Sequence, residues 1–203
     1  MKKVFHTNYL SFFPDSLGTT ALIALVVNES KLLIAHVGDS RAVLCRSGEA
    51  VCLTGDHTPD NEQEVDRIVE SGGWIDWDTK IIPYVNGLLS MTRSFGNLLL
   101  QKCGVSHKPY VFQSDLNAET DEFLILCSDG ITNWMTDADM VSLVSQHENV
   151  QESADSLTSC AQQFGSTDDA TAVVVKLAAW GTSRYPRTDS KNQFLRATVS
   201  KRY

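Results

Sequence analysis

Three aspartates stand where a carboxylate can do metal chemistry. Asp39 follows an apolar run and a glycine, in Gly38-Asp39-Ser40. Asp129 follows the run at 122–127 and precedes Gly130. Asp168 lies in Gly165-Ser166-Thr167-Asp168-Asp169, just before a β-branched run. A carboxylate at a strand end is held by a rigid element yet projects from the rim of the sheet. Three of them converging would form an oxygen-ligand site for Mg²⁺ or Mn²⁺, which take near-octahedral oxygen coordination and keep bound waters. Without a cation such carboxylates repel one another and their pKa values rise. Taken singly, turn formation is the commoner role of such an aspartate. Spacing alone does not decide between the two.

The elements that must hold these positions are read from periodicity. Residues 19–27, 32–37, 41–46 and 50–53 are short apolar runs separated by turn signals such as Asn28-Glu29-Ser30-Lys31 and Ser47-Gly48. Strands so close in sequence are most simply antiparallel hairpin partners. A helix is predicted over 61–71, with Val65, Ile68 and Val69 on one face and Glu62 and Glu64 in its first turn. Gly72-Gly73 ends it. Residues 122–127 read as a buried strand, halted by Ser128-Asp129-Gly130. Helices follow over 137–147, with a capping box from Thr136 to Asp139, and over 151–164, which buries Ala154, Leu157, Ala161 and Phe164 before Gly165. A strand at 170–177 closes the domain. Strand blocks interrupted by helices indicate an α+β layered fold with largely antiparallel sheets.

At 203 residues the chain is long enough for one domain, and its 42% hydrophobic and 21% charged residues are ordinary for a globular protein. No stretch reaches the length of a membrane span. Met1–His6 is weakly basic without a signal or transit pattern, so any targeting segment is absent or lies outside this chain. Cys45, Cys52, Cys103, Cys127 and Cys160 form no CxxC pair and read as buried free thiols of a reducing, intracellular compartment. The net charge of −8 conceals a basic tail, in which Arg184, Arg187, Lys191, Arg196, Lys201 and Arg202 face one acid, Asp189. The rest is more acidic still, which argues against a nucleic-acid partner. Segment 182–203 lacks apolar periodicity and is expected to be disordered.

The literal motifs resemble protein phosphatase 2C, the metal-dependent protein serine/threonine phosphatases. They are GTTALIALV at 18–26, AHVGDSRAVL at 35–44, DHTPDNEQEVDRIVESGGWI at 56–75, VNGLLSMTRSFG at 85–96, FLILCSDGI at 123–131 and GSTDDATAVVV at 165–175. Singly they are weak; in this order and spacing they are specific. The DHTP sequence, the VNG–MTRS–FG stretch and AAWG at 178–181 are most similar to the mitochondrial branch that acts on the branched-chain keto acid dehydrogenase complex. The resemblance implies a four-layer αββα sandwich, with two antiparallel sheets flanked by helices. It implies two metal ions, Mg²⁺ or Mn²⁺, which activate a water for attack on a phosphoprotein substrate. By position Asp129 and Asp168 match the core metal ligands, and Asp39 matches a ligand of a third, more weakly held ion.

The same resemblance exposes departures. The family's first segment, with a phosphate-binding arginine and a DGHGG motif that supplies a bridging aspartate and a histidine, has no counterpart here. The chain therefore divides into an unmatched segment 1–17, a phosphatase-type domain 18–181 lacking its first segment, and the tail 182–203. Such a loss would leave an apolar sheet face and an unpaired strand edge. His57, in the DHTP sequence, reads as a loop histidine capping local structure. Asn97, Asn133 and Asp169 stand where the family has, or sometimes has, a different residue. Two main readings follow: a genuine phosphatase whose first segment is missing, with little activity alone, or a catalytically inactive phosphatase-like module that binds phosphoproteins. A third reading is an unstable truncated product. The setting expected from the resemblance is the mitochondrial matrix, or otherwise the cytoplasm.

Overall fold

The computed structural model describes residues 14–78 and 82–181. The basic tail expected at 182–203, and most of segment 1–17, lie outside the described residues. In chain order the first elements are β1 (Gly18–Thr19), β2 (Ala21–Val27), β3 (Lys31–Val37), β4 (Arg41–Arg46), β5 (Glu49–Cys52) and α1 (Glu62–Glu70). Then come β6 (Ile75–Asp76), β7 (Tyr84–Val85), β8 (Phe95–Gly96), α2 (Leu98–Gln101) and β9 (Tyr110–Asp115). The last are β10 (Asp121–Cys127), α3 (Asp129–Thr132), α4 (Asp137–Val144), α5 (Val150–Gln163) and β11 (Ala172–Lys176). They fall into two compact units, the first built from residues up to 27, 31–40 and 54–114, the second from 28–30, 41–53 and 115 onward.

In the first unit β3 lies between β2 and β9. β2 and β3 form the predicted antiparallel hairpin, from Ala21↔Val37 to Val27↔Lys31. Leu32 and Ile34 are buried on one face, whereas Ile23 and Leu25 of β2 are 62% and 56% exposed on an outer strand. Helix α1 ends as predicted, with the Gly72 and Gly73 N–H groups donating to the carbonyls of Val69 and Ile68. Its buried face differs from the expected one. Ile68 is fully buried, but Val69 is 56% exposed and Glu64 takes the inner position at 2%. The cause is a set of donors waiting for a carboxylate, described below.

In the second unit the sheet order is β11-β10-β4-β5, with β10 antiparallel to both neighbours. β10 is flanked by strands on both sides, and Phe123, Leu124 and Ile125 in its apolar stretch are at most 1% exposed. Its core joins Val43, Phe123 and Ile125 to Met140, Val144, Leu157 and Ala161 of α4 and α5. Ala154 and Phe164 pack at its margin, and the Trp180 ring meets Phe123 edge-on at 5.2 Å. The capping box from Thr136 to Asp139 is formed.

The expectation of four consecutive hairpin partners needs correction. β4 and β5 pair, and so do β2 and β3, but β3 and β4 belong to different sheets. The turn at Gly38-Asp39-Ser40 carries the chain out of one sheet and into the other rather than back along its neighbour. The thiols are also less uniformly buried than expected. All five are free, Cys45 and Cys127 are buried, and Cys52 is exposed because β5 is an outer strand.

Candidate metal centre

β10 and β11 run side by side with Cys127 opposite Ala172. The end of the one and the start of the other therefore share one edge of the sheet. Asp129 leaves that edge as the first residue of α3, and Asp168 sits in the loop that enters β11. Two residues beside Asp129 are tied to three residues near Asp168. The Ser128 hydroxyl donates to the Asp169 carbonyl at 3.3 Å and accepts from the Thr171 N–H at 3.0 Å. The Ser166 hydroxyl donates to the Gly130 carbonyl at 2.9 Å. Glycine is required at 130 for a steric reason: a Cβ there would lie 2.6 Å from the Asp169 carbonyl oxygen.

Within this edge Asp168 accepts from the Asp169 N–H through Oδ1 at 2.8 Å, and its exposed Oδ2 has no protein partner among the described residues. Asp129 is half-buried. These donors suit a hard divalent cation, since Mg²⁺ is commonly held by one or two carboxylates with water and substrate oxygens completing the shell. Asp39 belongs to the first unit, two residues ahead of β4 in the chain, and is 8% exposed. Among the described residues no group of three or more His, Cys, Asp or Glu side chains is gathered as a metal would require. The structure thus brings Asp129 and Asp168 to one edge of the sheet in the second unit.

The sequence profile of protein phosphatase 2C matches residues 2–170. The chain belongs to the protein phosphatase 2C family. Protein phosphatase 1K, mitochondrial, of Xenopus laevis is 43% identical over 164 residues, which cover 81% of this chain and 44% of that protein. Probable protein phosphatase 2C 59 of Arabidopsis thaliana is 38% identical over 159 residues, covering 78% of this chain and 50% of that protein. The chain thus spans about half the length of these curated relatives, or less. Among solved structures, a C. elegans sex determining protein matches with a TM-score of 0.72 at 26% identity, covering 78% of this chain and 40% of that one. Serine-threonine phosphatase 2C from Toxoplasma gondii matches with a TM-score of 0.70 at 23% identity, covering 80% and 59%, a likeness of fold alone. These neighbours bear out the α+β class with antiparallel sheets.

Two networks of this phosphatase 2C chain escape sequence reading. Glu64 accepts from Arg67 at 2.7 Å, from Arg93 at 2.6 Å and from the Thr92 hydroxyl at 2.7 Å. Burial pushes its carboxyl upward, but the hydrogen bonds from Arg67, Arg93 and Thr92 outweigh it and hold the carboxyl well below the usual carboxylate range. The Glu64–Arg67 spacing was visible in the sequence; Thr92 and Arg93, far along the chain, gave no local signal.

The second network is a pair of imidazoles. His36 and His57 stack with centroids 4.3 Å apart and planes 13° from parallel, and Tyr110 meets His36 edge-on. His57 caps local structure as expected, since its Nδ1 accepts from the Gly38 N–H at 3.1 Å. His36 Nε2 donates to the Gly55 carbonyl at 2.9 Å, and its buried Nδ1 has no hydrogen-bond partner among the described residues. Both pKa values are lowered, that of His57 to about 4, with burial the largest cause in each.

Proposed function

We propose that this chain supplies metal-holding carboxylates to a protein serine/threonine phosphatase, which hydrolyses phosphoserine and phosphothreonine in a phosphoprotein substrate. Beyond family membership, the observation that supports this most is that Asp129 and Asp168 lie at the same edge of the β10–β11 pair. In such a site a bound Mg²⁺ or Mn²⁺ supplies a nucleophilic water at neutral pH. Asp129 and Asp168 would hold the ion, and Asp39 is a third candidate ligand. The apolar body of β10 and the closing of α5 onto β11 keep the two aspartates at a fixed edge, so little reorganisation accompanies binding. The frog relative's name, with its mitochondrial designation, supports a mitochondrial setting. Among the described residues no helix is long and apolar enough to cross a membrane.

The 203 residues contain no DGHGG sequence. The chain alone is therefore expected to show negligible Mn²⁺-dependent hydrolysis of p-nitrophenyl phosphate. Joined to the DGHGG-bearing segment of a phosphatase 2C relative, it is expected to turn over a phosphothreonine peptide, and Asp129→Asn to abolish that turnover. Turnover indifferent to both Asp129→Asn and Asp168→Asn overturns the assignment. A complemented chain that binds the phosphopeptide without hydrolysing it supports the inactive binding module instead.

A further inference from the structure

We infer that Ser128 and Ser166 are positioning residues, whose hydroxyls set the separation of the Asp129 and Asp168 carboxylates and thereby the affinity for a divalent cation. The inference rests on the metal-holding role proposed above. Ser128 precedes Asp129, and its hydroxyl grips Asp169 and Thr171 on the opposite loop. Ser166 lies two residues before Asp168, and its hydroxyl grips the carbonyl of Gly130, which follows Asp129. Each candidate ligand is thus bracketed by ties to the loop that carries the other.

The surrounding elements do not need these hydroxyls for their own completion. Helix α5 ends in a Schellman motif, in which the Gly165 N–H donates to Gln162 and the Ser166 N–H to Ala161. Gly165 adopts the required left-handed backbone at φ +105°. That motif fixes the Ser166 backbone and leaves its hydroxyl free to reach across to Gly130. The β10–β11 ladder likewise closes on backbone alone, through the Ser128 N–H to the Thr171 carbonyl at 3.1 Å. The hydroxyls are therefore additional ties, and they span only the two loops that carry the aspartates. The chain of contacts runs on to the ligand itself, because Asp169, held by Ser128 through its carbonyl, orients Asp168 Oδ1 through its N–H. Outer partners that orient metal ligands change affinity by roughly ten-fold to a hundred-fold when removed.

The test uses the whole chain, with Mn²⁺ titrated against the protein and free ion followed by electron paramagnetic resonance. Thermal midpoints are measured in parallel in EDTA. Ser128→Ala and Ser166→Ala are each expected to weaken Mn²⁺ binding by roughly ten-fold, and Ser128→Thr, which keeps the hydroxyl, to restore it. Ser128 is half-buried at the loop surface, so Ser128→Ala is expected to leave the thermal midpoint in EDTA nearly unchanged. Equal Mn²⁺ affinity in the wild type and both alanine variants overturns the inference. So does a loss of affinity that only follows a loss of thermal stability and is not restored by Ser128→Thr. Mn²⁺ binding that is absent, or indifferent to Asp129→Asn, overturns the metal-holding role, and the positioning role falls with it.

Discussion

Acidification offers a measurement of the buried imidazole pair. His57 is 4% exposed, stacked on His36, and its Nδ1 is occupied by the Gly38 N–H. Its pKa falls from 6.5 to about 4, through burial first, then the Arg93 cation and the charge on His36. The folded protein therefore keeps this ring neutral while the unfolded chain takes up a proton near pH 6.5. Stability that is complete above that value is lost as pH falls towards the folded pKa. Between about pH 8 and pH 5 the loss from His57 alone is about 2 kcal/mol. His36 adds to it with the same sign, since burial lowers its pKa as well. Glu64 acts in the same direction only below its ordinary value of 4.5, because its folded pKa is lowered. The window between pH 7 and 5 thus isolates the histidines. Urea unfolding followed by tryptophan fluorescence across that window is expected to show the slope. His57→Asn keeps an acceptor near the Gly38 N–H but cannot titrate. It is expected to be less stable at pH 8, through loss of the stack, and to have a flatter pH dependence. A slope equal to that of the wild type refutes the reasoning, as does a His57 ring resonance that titrates near 6.5 in the folded protein.

Glu64→Ala is expected to cost about 3–5 kcal/mol, because it strands the Arg67 and Arg93 guanidinium groups in a partly buried site. Glu64→Gln should cost less, and urea midpoints that place Glu64→Ala within about 1 kcal/mol of the wild type contradict the network's role. Lysine at Ile23 and Leu25 is expected to leave stability within about 0.5 kcal/mol while reducing aggregation seen by light scattering, since both side chains are exposed on an uncharged outer strand. A large loss of stability would show that this face is packed.

The sequence by itself determined what depends on neighbours close along the chain. The β2–β3 hairpin, the stop of α1 at Gly72-Gly73, the capping box at Thr136 and the apolar run of β10 are each decided within a few residues, and each stands where it was read. The ordered motifs likewise gave the family, because order and spacing are properties of the chain. Tertiary structure decided what depends on donors and acceptors brought from a distance. Val69 is exposed and Glu64 buried because Thr92 and Arg93, remote in sequence, supply the hydrogen bonds that make a buried carboxylate tolerable. The β3–β4 connection reads locally as a tight turn, yet the strands part because their pairing partners, β2 and β10, lie in different sheets. Asp129 and Asp168 were legible as strand-end aspartates. Only the β10–β11 register, with Ser128 and Ser166 tying the two loops, brings them to one edge, because strand register is fixed by pairing across the sheet and not along the chain.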